Sequence, residues 1–251
     1  MRGGLLPRVL ARPRGGNVLV SRRRAVIAID GPAASGKSST AQWVARKIGF
    51  HHVDSGALYR AATAAQLDRS RDAEGWTEEA LLEAASRVTF VATNGAFVPL
   101  IDGRPCESEL RGTDVTRNVS RVATMPGVRS WVNEHVRRTA ETHDVVVDGR
   151  DIGTVVFPDA DLKVFLVADP WERARRRLMQ RLGRHPSDDE IAEETGHIVH
   201  RDARDATQTV QASDAVLIDT TYLTQEDQVE RIVALAKAVT HHPDVTSDVD
   251  R

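Results

Sequence analysis

Four stretches of the chain are apolar almost without interruption: residues 25–30 (AVIAID), 144–148 (DVVVD), 163–168 (KVFLVA) and 215–219 (AVLID). Each has the length of a strand and none alternates, which predicts strands covered on both faces, as in a parallel sheet. Between them the apolar positions take helical spacing. Ala41, Val44, Ala45 and Ile48 fall at i, i+3, i+4 and i+7, and Gly49 supplies a stop. Val128, Trp131, Val132 and Val136 share one helical face, as do Val229, Ile232, Val233 and Ala236. Strand and helix in turn predict an α/β fold, doubly wound about a parallel sheet.

Two regions break the rhythm. Residues 88–93 and 97–101 are rich in β-formers and flank Asn94-Gly95, a hairpin signal; an inserted subdomain is expected at about residues 70–112. Residues 175–212 are charged and helical with few apolar anchors, the pattern of a mobile lid. The folded domain is expected over residues 25–238, with a polar tail from 239 to 251.

Charge narrows the partners. Lys and Arg number 34 against 36 Asp and Glu, a net −2 over 251 residues, which argues against a strongly basic nucleic-acid binder. Residues 1–24 hold seven arginines and no acid, so the remaining 27 cations face 36 anions and residues 25–251 carry −9. The leader has two readings: an Arg-rich transit peptide, or an extension outside the fold. Its single serine and its Gly and Pro residues favour the second. No uncharged apolar run nears the ~20 residues of a membrane span. The lone Cys106 excludes an internal disulfide and a multi-cysteine zinc site, and fits a reducing compartment.

Residues 31–38, GPAASGKS, match G-x-x-x-x-G-K-[ST] between a predicted strand and a predicted helix. Glycines at 31 and 36 let successive N–H groups turn onto phosphate oxygens, and the helix directs its positive end to the same place. Gly31, Pro32, Ala33, Ala34, Ser35, Gly36, Lys37, Ser38 and Ser39 are therefore the expected ATP-binding set. Lys37 is expected at the β/γ-phosphates, and the Ser38 hydroxyl at the Mg²⁺ that accompanies ATP. A GTPase would carry N-K-x-D, which is absent from the sequence. Phosphoryl transfer to a small acceptor suits the length.

The acceptor side is marked by Ser55 and Arg60 in DSGALYR, and by Arg150 and Asp151 just beyond a strand, where open α/β sheets bind ligands. Taken singly, Arg150 and Asp151 also suit an ordinary surface ion pair. DGPAASGKSS, DSGALYR, VSRVATMPGVR, DGRDIGTVVFPDA and RDARD, in this order and spacing, resemble bacterial-type cytidylate kinase, a nucleoside monophosphate kinase, from about residue 25 to 238. The resemblance implies a P-loop fold whose insert binds the monophosphate and whose helical lid closes over the phosphates. It implies ATP and CMP or dCMP as substrates, with Mg²⁺, a cytoplasmic monomer, and neither nucleic acid nor membrane as partner. Ser55, Arg60 and Arg150 would hold the acceptor phosphate, Ser120, Arg129 and Asp151 would read cytosine, and Arg201 and Asp205 would lie near the pentose. Lys37, Arg150 and Arg201 are the implied catalytic cations.

Cytosine chemistry agrees, because a carboxylate accepts from the N4 amino group and repels a uracil oxygen. Read without the resemblance, Arg129 also suits a solvated helix face, and Asp205 a simple i,i+4 partner of Arg201. One position departs from the family pattern: Gln208 stands where an arginine is usual, and a neutral amide cannot supply a guanidinium's charge. Two alternatives stay open, a P-loop kinase for UMP or another small acceptor, and a nucleotide-binding module without turnover.

Overall fold

The computed structural model describes residues 23–240; the expectations for residues 1–22 and 241–251 lie outside the described residues. Its first half runs β1 (Val26–Asp30), α1 (Lys37–Ile48), β2 (His51–Asp54), α2 (Ser55–Arg69), α3 (Glu78–Ala85), β3 (Val88–Thr93), β4 (Ala96–Ile101) and β5 (Arg104–Pro105). There follow α4 (Glu107–Leu110), α5 (Thr113–Val122), α6 (Pro126–Thr142), β6 (Val145–Asp148) and one π-helical turn (Ile152–Val156). The chain closes with β7 (Leu162–Val167), α7 (Pro170–Leu182), α8 (Asp188–Asp205), β8 (Val216–Asp219) and α9 (Gln225–Thr240).

Every residue of β1 is buried, and its period-two geometry explains how. Val26 and Ala28 face a layer containing Leu58, Val132 and Val136, while Ile27 and Ile29 face Val44, Val229 and Ile232. Helices α2 and α6 thus cover one face, and α1 and α9 the other. The strand order is β3-β4-β2-β6-β1-β7-β8, with β5 paired to β4. From β2 to β8 neighbouring strands are parallel.

The hairpin turns at Asn94-Gly95, both with positive φ (45° and 77°). It does not stand apart from the sheet. Strand β4 pairs parallel with β2, and β3 and β5 run antiparallel to β4, so the inserted segment continues the sheet edge.

Three local expectations need correction. Strand β8 is not buried on both faces: only Ile218 is, while Val216 and Leu217 are exposed, because the strand ends the sheet with β7 as its one neighbour. Strand β2 (HHVD) escaped the apolar reading because it is short and polar; its place between β4 and β6 makes it a strand. The lid region does have anchors. Ala174, Leu178, Ile191 and Ile198 form a small core between α7 and α8, and Ala34 packs against it. Asp169 caps α7, and a Ser187–Glu190 capping box starts α8. Among the described residues no helix is long and apolar enough to cross a membrane.

The sheet sets the loop after β1 through one close approach. Gly31 has φ +147°, and a Cβ there would collide with the carbonyl oxygen of Leu166 in β7. Gly31→Ala should therefore separate β1 from β7 at their carboxyl ends. We expect a stability loss of roughly 3 kcal/mol or more, measured by chemical denaturation; a variant matching the wild type would refute the close-packing account.

Candidate active site

Gly31 to Gly36 make the turn between β1 and α1 with three positive φ values, at Gly31 (147°), Ala34 (58°) and Gly36 (88°). The glycines are legible in sequence. Ala34 is not, since a non-glycine residue in the left-handed region is held there by its surroundings. Helix α1 begins at Gly36 without a side-chain cap and without an acid in its first turn. Its leading N–H groups and positive dipole end are therefore directed to whatever anion the loop encloses.

Lys37 is buried inside this turn, donating to the carbonyl of Pro32 at 2.6 Å and to Ser35 Oγ at 3.4 Å. Burial first, and then the positive charge of Arg150, push its pKa well below the ordinary lysine value. A ligand phosphate would oppose that shift and favour the charged form by pairing with it. Ser38 is exposed and donates to Asp148 Oδ2 at 2.6 Å. Asp148, the last residue of β6, also contacts His52 Nε2 through Oδ1 at 2.8 Å, and its backbone carbonyl accepts from Ser55 Oγ at 2.8 Å. Burial disfavours the charged form of His52, but the hydrogen bond and charge of Asp148 prevail and raise its pKa.

Asp148, Asp30 and His52 belong to the site although the sequence pattern assigns them no role there. For Asp148 a signal was available, an acid ending an apolar strand; for His52 there was none. Asp30 ends β1 and accepts from the N–H groups of Ile152 and Gly153 at 2.9 and 2.8 Å. It thereby pins the π-turn beneath the loop. Its burial outweighs those bonds and raises its pKa to about 6.

The remaining expected residues gather above. A cavity of about 930 Å³ reaches from Ser38 and Ser39 to Arg60 and Arg201, and along α7 to Tyr222 and Gln225. Arg176 closes one side of it by donating to the carbonyls of Thr220 and Thr221 at 2.6 and 2.8 Å. Arg173, buried, donates to the Ala33 carbonyl at 2.8 Å and pairs with Asp202, whose carboxylate accepts from the Ala33 N–H at 3.2 Å. Thus both lid helices hold the loop. Arg60 donates to Leu110 O at 3.0 Å and Thr116 Oγ1 at 3.3 Å. Arg150 donates to Gly31 O at 3.1 Å and to Asp205 at 3.2 Å, and Arg201 lies 3.6 Å from the same carboxylate. Asp205 is therefore more than a partner of Arg201. The Arg201 Nε is buried without a hydrogen-bond acceptor; burial, then the charge of Arg150, lower its pKa to about 10. These cations crowd one another around one shared acid, which is a site short of anions.

Asp151 is buried and pairs with the half-buried Arg129, so Arg129 is not a freely solvated residue of its helix face. Burial raises the pKa of Asp151 even though Arg129 opposes it. Ser120 is half-buried on α5, and its side chain makes no hydrogen bond among the described residues, to that pair or to any other group. Gln208 accepts from Arg129 Nη1 at 3.2 Å.

A loop of this build encloses the phosphates of a nucleoside triphosphate, and the surplus of arginines facing it leaves a place for a second anion; fold and cleft are those of a P-loop kinase. Sequence comparison narrows the class. The cytidylate kinase family model matches residues 27–238, and the chain belongs to that family. A cytidylate kinase from Chloroherpeton thalassium is 40% identical over 224 residues, 86% of this chain and 95% of the other. One from Limosilactobacillus fermentum is 41% identical over 211 residues, covering 82% and 92%, and one from Alkaliphilus oremlandii is 40% identical over 219 residues, covering 85% and 98%.

Asp54 tests the electrostatics beneath the cleft. It caps α2, accepting from Ala57 N at 3.2 Å, and burial followed by the charge of Asp148 raises its pKa from 3.8 to about 6. The folded chain therefore holds this proton more tightly than the unfolded chain, and the stability so gained is present below pH 4 and lost as pH rises through about 6. Asparagine caps a helix as well as aspartate does. Ligand-free Asp54→Asn should be more stable than wild type at pH 7.5, with the advantage closing between about pH 6 and 4. Thermal unfolding across that range checks this, and a pH-independent difference would contradict it.

Proposed function

We propose that the chain transfers the γ-phosphoryl group of ATP reversibly to CMP or dCMP, giving ADP and the diphosphate. Family membership supports the phosphotransfer, and the pairing of Arg129 with the buried Asp151 is the observation that carries the choice of acceptor. Only Oδ2 of Asp151 takes the arginine. Its other oxygen is left to accept from a pyrimidine amino group, and it would repel the oxygen that uracil carries there. Arg129 keeps donors for N3 and O2, both acceptors in cytosine.

The protein supplies no nucleophile. Lys37, Arg60, Arg150 and Arg201 hold two polyanions close together and offset their repulsion as charge spreads over the transferring group. Ser55 and Arg60 are suited to the acceptor phosphate, and Arg150, anchored to the Gly31 carbonyl, spans the two phosphate positions. The hydroxyl of Ser38 and the carboxylate of Asp148 are hard oxygen donors of the kind Mg²⁺ takes. They would hold the ion that accompanies ATP, whose charge neutralises the phosphate oxygens. Closure of α7 and α8 would exclude water, which otherwise competes as acceptor. A monomer in the cytoplasm, with its one cysteine buried and reduced, completes the proposal.

Rates with CMP, dCMP, UMP and AMP test the acceptor. CMP should exceed UMP clearly, and Asp151→Asn should erode that preference about tenfold or more while the KM for ATP changes less than about twofold. Equal rates with CMP and UMP in the wild type would refute the cytosine assignment. Lys37→Ala should lower kcat by about 10²-fold or more. Background turnover in both wild type and Lys37→Ala would instead establish a binding module.

A further inference from the structure

Gln208 lies just beyond α8, in a turn where its N–H donates to the Asp205 carbonyl at 2.9 Å. Its Oε1 accepts from Arg129 Nη1 at 3.2 Å. The same Nη1 donates to the backbone carbonyl of Ala123 at 3.2 Å, and Nη2 is bonded to Asp151. Nη1 has two hydrogens, so Ala123 and Gln208 use both. The planar guanidinium is thereby fixed by acceptors from the end of α5, the turn after α8 and the loop after β6. One Nη2 hydrogen and the Nε hydrogen are left for a ligand, in a direction the three acceptors determine.

We propose that Gln208 is a positioning residue for acceptor specificity, acting through Arg129. Without its amide oxygen the guanidinium is free to turn toward Asp151 and take both carboxylate oxygens, the favoured bidentate geometry. That rotation removes the acceptor proposed for the pyrimidine amino group and redirects the donors aimed at N3. Gln208 thus keeps the ion pair single-stranded and one oxygen of Asp151 open. The same turn reaches the phosphate side, since Asp205, three residues earlier, takes Arg150 and lies beside Arg201. Seating of the turn after α8 therefore sets base reading and phosphate holding together.

The inference rests on the cytosine reading of Arg129 and Asp151, so its test carries Asp151→Asn alongside. Gln208→Leu keeps the volume and removes the acceptor, and Gln208→Glu keeps an acceptor oxygen. Binding of CMP and UMP by calorimetry, and kcat/KM for each, are measured with full-length protein. Gln208→Leu should lower the CMP-to-UMP ratio about tenfold with the KM for ATP and the Tm nearly unchanged, and Gln208→Glu should hold that ratio within about threefold of wild type. If Gln208→Leu folds poorly, Gln208→Asn, whose shorter amide falls short of Arg129, carries the same comparison. An unchanged ratio in the Gln208 variants, with the ratio collapsed in Asp151→Asn, would overturn the role of Gln208 and leave the acceptor reading standing. A uniform loss with both acceptors would make Gln208 a structural part of the turn and overturn the proposal. A ratio insensitive to Asp151→Asn as well would remove the acceptor reading and this inference with it.

Discussion

Both halves of the cleft are tied to one buried residue. Asp148 takes the Ser38 hydroxyl on one carboxylate oxygen and His52 on the other, and its backbone carbonyl takes Ser55. Helix α1, after the Gly-Lys-Ser loop, and helix α2 thus share an anchor at the carboxyl end of the central strand pair. Such an anchor depends on β1 and β6 lying side by side in register, with Ile29 opposite Asp148. Buried polar groups are stable only when fully partnered, so the hub is rigid where the chemistry requires two ligands at a fixed separation.

Above this anchor the charge distribution is deliberately unbalanced. The domain as a whole is acidic, yet Arg60 and Arg201 line one cavity, and Arg150 meets Arg201 across the carboxylate of Asp205. Burial and then mutual repulsion lower the pKa of Arg201 to about 10, and burial first, with neighbouring arginines, lowers those of Arg60 and Lys37 as well. Anions bound among these cations would favour their charged forms by pairing with them. Net charge says nothing of this, because the effect is decided by four side chains at short range and not by the sum over the surface.

The lid is built to share that load. Its helices are held together by four apolar residues, and Arg173 and Asp202 bond the carbonyl and the N–H of Ala33. Ala34, held at positive φ, packs against the lid core itself. A change in the seating of α7 and α8 is felt directly by the phosphate loop, and through the turn after α8 by Arg129.

Much of this was legible in the amino-acid order. Apolar runs specified β1, β6 and β7, helical spacing specified α1, α6 and α9, and the Gly-Lys-Ser loop announced its ligand, since local pattern and backbone geometry need only near neighbours. Asn94-Gly95 specified its hairpin, but not that β4 would pair with β2. The motifs also named six of the residues that line the cavity, Ala34, Gly36, Ser38, Ser39, Arg60 and Arg201, without saying what each would touch. Only the tertiary structure decided that Asp148 joins Ser38 to Ser55, 110 and 93 residues away in sequence, or that Gln208 meets Arg129 across 79. It also decided that β8 would be an exposed edge and β2 an interior strand, each against the hydropathy of its own residues. Contacts of this kind depend on which elements the sheet order brings together, and no local periodicity encodes that order.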